Sequence, residues 1–419
     1  MTFEQFNLHT DISAAITEQG YTCPTPIQEK AIPHILNKRD VLGLAQTGTG
    51  KTAAFVLPLL QKLMDGPHRK VRALILAPTR ELAAQIHEAV NSLGRHTRVR
   101  SVAIFGGVSM DPQIKALRRG VEIIVACPGR LLDHMSRNNI DLSSLEVLVI
   151  DEADRMFDMG FLPDIRRIIK QLPGTRQNLL FSATMPDDIR RLSADILRDA
   201  VTVQIDHTKP VATISHVLYP VEQHLKTALL KELLKRTETD SVLIFTRTKH
   251  RAKKLADQLG YAGFRATSLQ GNLSQNQRQN AIDGFRNGSY KILVATDIAA
   301  RGIDVSAITH VINFDMPDTA DAYTHRIGRT GRVSRTGEAF TFVTNEDTSM
   351  AYTIECFLGA AVEQKTLLGF DYKKPKADGP FKAARPQQQR QRGARPIGQS
   401  PLDRQRGVGN RYRTQISAR

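Results

Sequence analysis

The chain has 419 residues, 41% of them hydrophobic and 24% charged, ordinary values for folded domains and enough length for two to four of them at about 100–200 residues each. Its net charge of +16 is uneven: Asp371–Arg419 holds 13 Lys/Arg against 3 Asp/Glu, a net of +10, which points to a polyanionic partner, nucleic acid or an acidic membrane surface, or to a solubilising tail. The longest apolar run, Ala53–Leu60, contains Pro58 and is far short of a membrane span, Met1–Asn7 lacks the features of a signal peptide, and three dispersed cysteines (Cys23, Cys127, Cys356) exclude a disulfide framework or Cys-rich zinc site and fit a reducing cytoplasm.

The elements come in alternation. Val41–Leu44 is an apolar stretch, followed by AQTGTGKT (Ala45–Thr52) and the helical run Ala53–Leu63. Short β-branched runs recur at Ala73–Leu76, Val102–Phe105, Ile123–Ala126, Val147–Ile150 and Asn178–Phe181, with helix-length segments such as Glu81–Leu93 and Ile165–Leu172 between them. This order predicts a doubly wound parallel α/β sheet. The polar stretch Asp206–Thr213, with Pro210, predicts a flexible linker. A second series then runs through Ser241–Phe245, Arg265–Ser268, Lys291–Ala295, Thr309–Asn313 and Ala339–Val343. Its helices are predicted at Glu222–Leu234, Lys249–Leu259 and Gln275–Phe285, the first placing Leu225, Leu229, Leu230, Leu233 and Leu234 on one face. Residue identity between the two series is too low to show them as copies. Past Phe370, Gln, Arg, Pro and Gly dominate, a composition that predicts a disordered basic tail. The division is therefore 1–205, linker 206–213, 214–370 and tail 371–419.

Two motifs in the first series carry phosphate chemistry. In a strand–loop–helix setting, the glycines of AQTGTGKT let backbone N–H groups face phosphate oxygens, Lys51 reaches the β- and γ-phosphates, and Thr52 offers a hydroxyl to Mg²⁺. VLVIDEAD (Val147–Asp154) ends a buried strand in carboxylates, at the edge where such sheets bind ligands. Asp151 suits Mg²⁺, directly or through water, and Glu152 suits activation of an attacking water. Together they predict a nucleoside triphosphatase.

DEAD at Asp151–Asp154, SAT at Ser182–Thr184 and HRIGRTGR at His325–Arg332 occur in the order and spacing of the DEAD-box ATP-dependent RNA helicases, which the chain resembles from about Phe3 to Leu368. DEADRMFDMGF and VLIFTRTKH are most similar to the bacterial RhlE type. The resemblance implies two tandem RecA-like domains. It implies ATP bound by Gln46, Thr47, Gly48, Thr49, Gly50, Lys51 and Thr52, with Gln28 of PTPIQ selecting adenine, Phe3 on the adenine face and Asp304 on the ribose. Arg329 and Arg332 correspond to arginine fingers completing a catalytic set with Lys51, Asp151 and Glu152. Asp154, Ser182, Thr184, His325 and Arg326 would couple hydrolysis to closure of the two halves. RNA backbone would be gripped by Pro78, Thr79, Arg80, Gly106, Gly107, Pro128, Gly129 and Arg130 from one half and by Thr246, Arg247, Gln275, Arg278 and Thr296 from the other. Cys127 stands where the family commonly has Thr, and Gln270 where His is commoner.

The resulting expectation is a cytoplasmic monomer, open without ligand, that uses ATP and Mg²⁺ to bend one RNA strand and separate short duplexes. An ATP-gated clamp or annealing factor fits the same motifs, and a DNA translocase fits them less well. The tail is expected to tether RNA, with ribosomal or RNA-decay proteins as competing partners.

Overall fold

Strands β1 (Val41–Leu44), β2 (Ala73–Leu76), β3 (Ser101–Ile104), β4 (Ile123–Ala126), β5 (Val147–Ile150), β6 (Gln177–Ser182) and β7 (Val201–Gln204) make one seven-stranded sheet. A second is made by β8 (Ile214–Pro220), β9 (Val242–Phe245), β10 (Ala266–Leu269), β11 (Ile292–Ala295), β12 (His310–Asn313), β13 (Gly337–Val343) and β14 (Glu363–Gln364). The computed structural model describes residues 2–46, 48–205, 214–237, 240–300, 308–331 and 337–375. Thr47, Asp304 and Arg332, the linker 206–213 and the tail from 376 onward lie outside the described residues.

Every strand pairing is parallel. The first sheet runs β3-β4-β2-β5-β6-β1-β7 and the second β10-β11-β9-β12-β13-β8-β14. Counted from the first strand of each, these are the same order, so the two series are copies of one architecture. Together with their helices they are two RecA-like domains, and Met1–Lys374 is one compact unit.

The helices of the first domain are α1 (Thr10–Glu18), α2 (Pro26–Leu36), α3 (Lys51–Met64), α4 (Arg80–Leu93), α5 (Asp111–Arg119), α6 (Pro128–Ser136), α7 (Ala153–Asp158), α8 (Leu162–Ile169) and α9 (Asp187–Ile196). Those of the second are α10 (Lys226–Arg236), α11 (Lys249–Tyr261), α12 (Gln275–Arg286), α13 (Asp297–Ala300), α14 (Ala320–Ile327) and α15 (Thr348–Leu358). They cover both faces of each sheet, which is why β2, β4 and β5 are apolar at every position. Alternate residues feed opposite cores: Ala73, Ile75, Ile123 and Val125 join the one containing α3 and α4. Leu74, Leu76, Ile124 and Ala126 join the one containing α6 and α8. Because all strands point the same way, the loops after β1 to β6 emerge at one edge. That edge gathers AQTGTGKT, PTR, Gly106–Gly107, PGR, DEAD and SAT.

Three strands were not foreseen. β7 and β14 are edge strands, one only two residues long, and β8 begins directly after the linker. The expected open arrangement is also not what the structure has: the domains touch, with Arg278 of α12 donating from Nε to the Glu81 carboxylate of α4 at 2.7 Å.

Candidate nucleotide and RNA site

The phosphate loop turns into α3 through Gly50, at φ +91°. Only glycine fits there, since a Cβ would lie 2.5 Å from Gln28 Nε2. Lys51 is buried and donates from Nζ to the Ala45 carbonyl at 2.8 Å, closing the loop on itself. Thr49 donates its hydroxyl to the Gln46 carbonyl. Gln28 is buried, accepts from the Thr25 N–H at 2.9 Å and donates to the Gly50 carbonyl at 3.0 Å. Its amide thus ties α2 to the phosphate loop, rather than standing free for adenine. Phe3 is likewise a core side chain, edge-on to Phe6 and stacked on Tyr21.

At the end of β5, three carboxylates sit side by side and buried. Burial raises the Asp151 pKa to about 6, Lys51 opposing and Glu152 adding to the shift. Glu152 has φ +53°, a conformation that β-carbon residues rarely adopt, at a site where chemistry is expected. Its carboxylate accepts from Arg155 Nη1 at 2.8 Å, and both side chains are buried.

Asp154 faces the end of β6. Its Oδ2 accepts from the Ala183 N–H, the Thr184 N–H and the Thr184 hydroxyl at 2.9–3.1 Å. Its own N–H donates to Ser182 Oγ, which donates to the Thr184 carbonyl. Burial alone would raise its pKa, but Lys51, the Thr184 N–H, Arg155 and His325 hold it below the usual range. The expected hydrogen bonds between Asp154 and SAT are therefore present, and the electrostatic contribution of His325 reaches Asp154 from the second domain.

A cleft of about 760 Å³ lies between the domains, lined by Asp154, Arg155 and Thr184 from one and Thr296, His325, Arg326 and Arg329 from the other. Arg326 is fixed there: it donates to both Asp297 oxygens at 2.6 Å and to the Asp315 carbonyl at 2.7 Å, and lies over the Phe245 ring. Arg329 is buried at the same wall.

The residues expected on RNA divide. Thr79 caps α4 by accepting from the Leu82 N–H, and Arg80 lies against Gly107. Gly106, Gly107, Pro128, Gly129 and Arg130 occupy adjoining loops, Arg130 donating to the Val108 carbonyl. Arg247 is exposed. Thr246 is instead fully buried, its hydroxyl directed to the Thr248 carbonyl, and Arg278 is paired with Glu81, so neither side chain faces outward as expected. Gln275 is half-buried, its Oε1 without a partner. The unforeseen partners, Glu81 and Arg155, sit inside the motifs PTREL and DEADR. Glu81 follows Arg80 directly, and only the fold shows it facing the second domain.

The sequence agrees with two family descriptions: DEAD/DEAH box helicase over residues 25–192 and helicase conserved C-terminal domain over 225–334. It is 43% identical over 357 residues to the DEAD-box ATP-dependent RNA helicase CshA of Bacillus subtilis (strain 168), covering 85% of this chain and 72% of that one. The chain belongs to the DEAD-box ATP-dependent RNA helicases. That relative is named CshA, so the membership shown is that of the family rather than of the RhlE type. As a DEAD-box protein it also resembles solved structures. One is Saccharomyces cerevisiae Dbp5 bound to RNA and ADP BeF3, at TM-score 0.77 and 32% identity, covering 87% of this chain and 95% of that one. Another is a DEAD box protein from the hyperthermophile Methanococcus jannaschii, at TM-score 0.52 and 36% identity, covering 87% and 99%.

Proposed function

We propose that this DEAD-box protein is an RNA-stimulated ATPase whose two domains, 1–205 and 214–370, close on RNA, bend one strand and separate short duplexes. The observation that carries the reading is the interdomain cleft, where Asp154 and Thr184 face Thr296, His325 and Arg329. Hydrolysis that needs groups from both walls is hydrolysis that senses closure. The likeness to RNA-bound Dbp5 supports it. The Methanococcus jannaschii protein is more identical in sequence and equally covered, yet its TM-score is lower. Over two domains, that score depends on how they are placed.

ATP is taken at the loop Gln46–Thr52. The Lys51 ammonium transfers from the Ala45 carbonyl to the β- and γ-phosphates. Gln28 retains one amide hydrogen and one oxygen lone pair for adenine after its two protein bonds. Phe3 with Tyr21 backs the base, and Asp304 takes the ribose. Among the described residues no cluster of three or more His, Cys, Asp or Glu forms a metal cage. A buried carboxylate at the end of β5 and a hydroxyl at the start of α3 do suit Mg²⁺, which leaves most of its positions to water and phosphate. Thr52 and Asp151 would hold it, and when bound it neutralises phosphate charge. Glu152 accepts the proton of the attacking water. Arg329 and Arg332 stabilise charge on the γ-phosphoryl oxygens. Asp154, Ser182, Thr184, His325 and Arg326 transmit closure.

RNA is held through its backbone by Pro78–Arg80, Gly106–Gly107, Pro128–Arg130, Arg247 and Gln275, with Thr246, Arg278 and Thr296 lining the same edge. Sequence preference is accordingly weak. The setting is the cytoplasm and the chain acts as a monomer; among the described residues no helix is long and apolar enough to cross a membrane. The basic tail tethers RNA, so deleting 371–419 raises the RNA concentration for half-maximal ATPase and flattens its salt dependence.

The test is ATP hydrolysis with and without single-stranded RNA, beside DNA of equal length, with Glu152→Gln as control. Strong stimulation by RNA that is lost in Glu152→Gln is expected. Equal stimulation by DNA, or none by RNA, overturns the reading.

A further inference from the structure

Thr79–Arg80, Gly106–Gly107 and Pro128–Arg130 come from three separate loops. An RNA strand meets them as one surface only if something fixes them to one another. Part of the fixing is direct. Gly107, at φ +77°, lies so close to Arg80 that a Cβ would fall 1.9 Å from Nη1. Arg130 Nη1 donates to the Val108 carbonyl at 3.2 Å.

Behind these contacts lies a buried polar pair that the proposed chemistry does not use. Gln113, in the first turn of α5, donates from Nε2 to the Phe105 carbonyl at 3.0 Å and the Ser109 carbonyl at 3.5 Å, the two ends of the glycine loop. With the amide nitrogen committed to carbonyls, Oε1 is left to accept, and its neighbour is His134 Nε2 at 3.1 Å. That assigns the imidazole proton to Nε2. Nδ1 is then a bare acceptor, buried and without a partner. His134 is wholly buried on α6, the helix that begins with PGR. Burial and the nearby Arg130 and Arg137 push its pKa down, so it stays neutral. An apolar side chain would fill this volume without an orphaned nitrogen. What it could not do is donate to Gln113.

We infer that Gln113 and His134 are positioning residues that clamp the 105–109 loop to α6, so that the glycine and PGR loops meet RNA as one rigid surface. Neither touches RNA. The inference rests on the RNA reading of those loops and adds the device that aligns them.

The test compares the wild type with Gln113→Leu, His134→Leu, the double variant, His134→Gln and Arg130→Ala. It reads the RNA concentration for half-maximal ATPase, the KM for ATP, kcat at saturating RNA and thermal unfolding. Each leucine variant is expected to raise the RNA requirement about tenfold with kcat and the KM for ATP held. The double variant is expected to be no worse than the singles. His134→Gln, whose amide N–H can reach the position of Nε2, is expected to retain wild-type behaviour. Should His134→Leu fail to fold, Gln113→Leu carries the comparison. Unchanged RNA dependence in the leucine variants, while Arg130→Ala weakens it, overturns the clamp alone. So does a fall in unfolding temperature with kcat and RNA requirement lost together and no rescue by Gln. An unchanged Arg130→Ala overturns the RNA reading of that loop and the clamp with it.

Discussion

Cys127 opens α6 as its N-cap but makes no side-chain cap bond, so the helix that presents PGR begins without the cap that a hydroxyl would supply. Cys127→Thr supplies a hydroxyl there and is expected to raise unfolding stability by about 1 kcal/mol, read by urea denaturation. The native thiol is also inert. Burial, with Glu81 adding, pushes its pKa up to about 12. At pH 8 almost no thiolate exists there, whereas Cys23 and Cys356 are exposed. Brief alkylation of the folded protein at pH 8 is expected to label Cys23 and Cys356 only, and Cys127 only after unfolding. Mass spectrometry decides it, and labelling of native Cys127 would contradict the burial. Gly107→Ala acts at the same edge. The added Cβ displaces the Arg80 guanidinium and must hold a positive φ, so RNA stimulation of the ATPase weakens while the KM for ATP is preserved.

Among the elements, the turn after β12 holds an unusual concentration of buried charge. Asp315 accepts from the Arg247 N–H at 2.9 Å and from Arg251 Nη1 at 2.6 Å. Lys226 stands 4.0 Å from it and 3.8 Å from Asp347, and donates to the Phe314 carbonyl. Burial lowers the Lys226 pKa despite both acids. Asp315→Leu leaves that ammonium and Arg251 undercompensated, so about 3–5 kcal/mol of stability is expected to be lost in thermal or urea unfolding. The loop carrying Arg247 loosens with it. None of this was legible beforehand, because Lys226, Asp315 and Asp347 are distant in sequence and each looks like a surface charge. What was legible had a local cause. Strands such as β2, β4 and β5 announce themselves by unbroken apolar runs between glycine, proline and charged turns, and they fall where expected. The phosphate loop and DEAD were legible because their chemistry requires particular residues at fixed spacing. The protein partners of Thr246 and Arg278 were not legible, because a motif says which residues gather at an edge, not which of them bond to protein there. Phe3 was ambiguous for the same reason: an aromatic upstream of the adenine motif is also a good core side chain.

For the whole molecule, the Arg278–Glu81 pair is a side-chain bond by which one domain holds the other. Both side chains are largely buried, so the pair is sheltered from salt. Glu81→Ala and Arg278→Ala are each expected to lower kcat at saturating RNA, and the double variant to lower it no further than either alone. The test is a double-mutant cycle on RNA-stimulated hydrolysis. Full additivity would show that the contact does not contribute to closure.

The shared strand order has one more consequence. β2 and β9 are the same strand of the two sheets, and each is followed by a threonine-capped helix. Thr79 accepts from Leu82 N–H and Thr248 from Arg251 N–H, both at 3.2 Å. PTR and the Thr246–Arg247 turn are therefore one loop written twice. The glycine loop after β3 answers to Gln270–Gly271 after β10, and PGR after β4 to Thr296 after β11. In the proposed complex, a strand laid across both sheets reads a tandem duplication: the same trio of loops, then the trio again. Within a trio the spacing is set by a rigid sheet. Between trios it is set by the joint, so the distance between the two repeats is what closure of the domains changes.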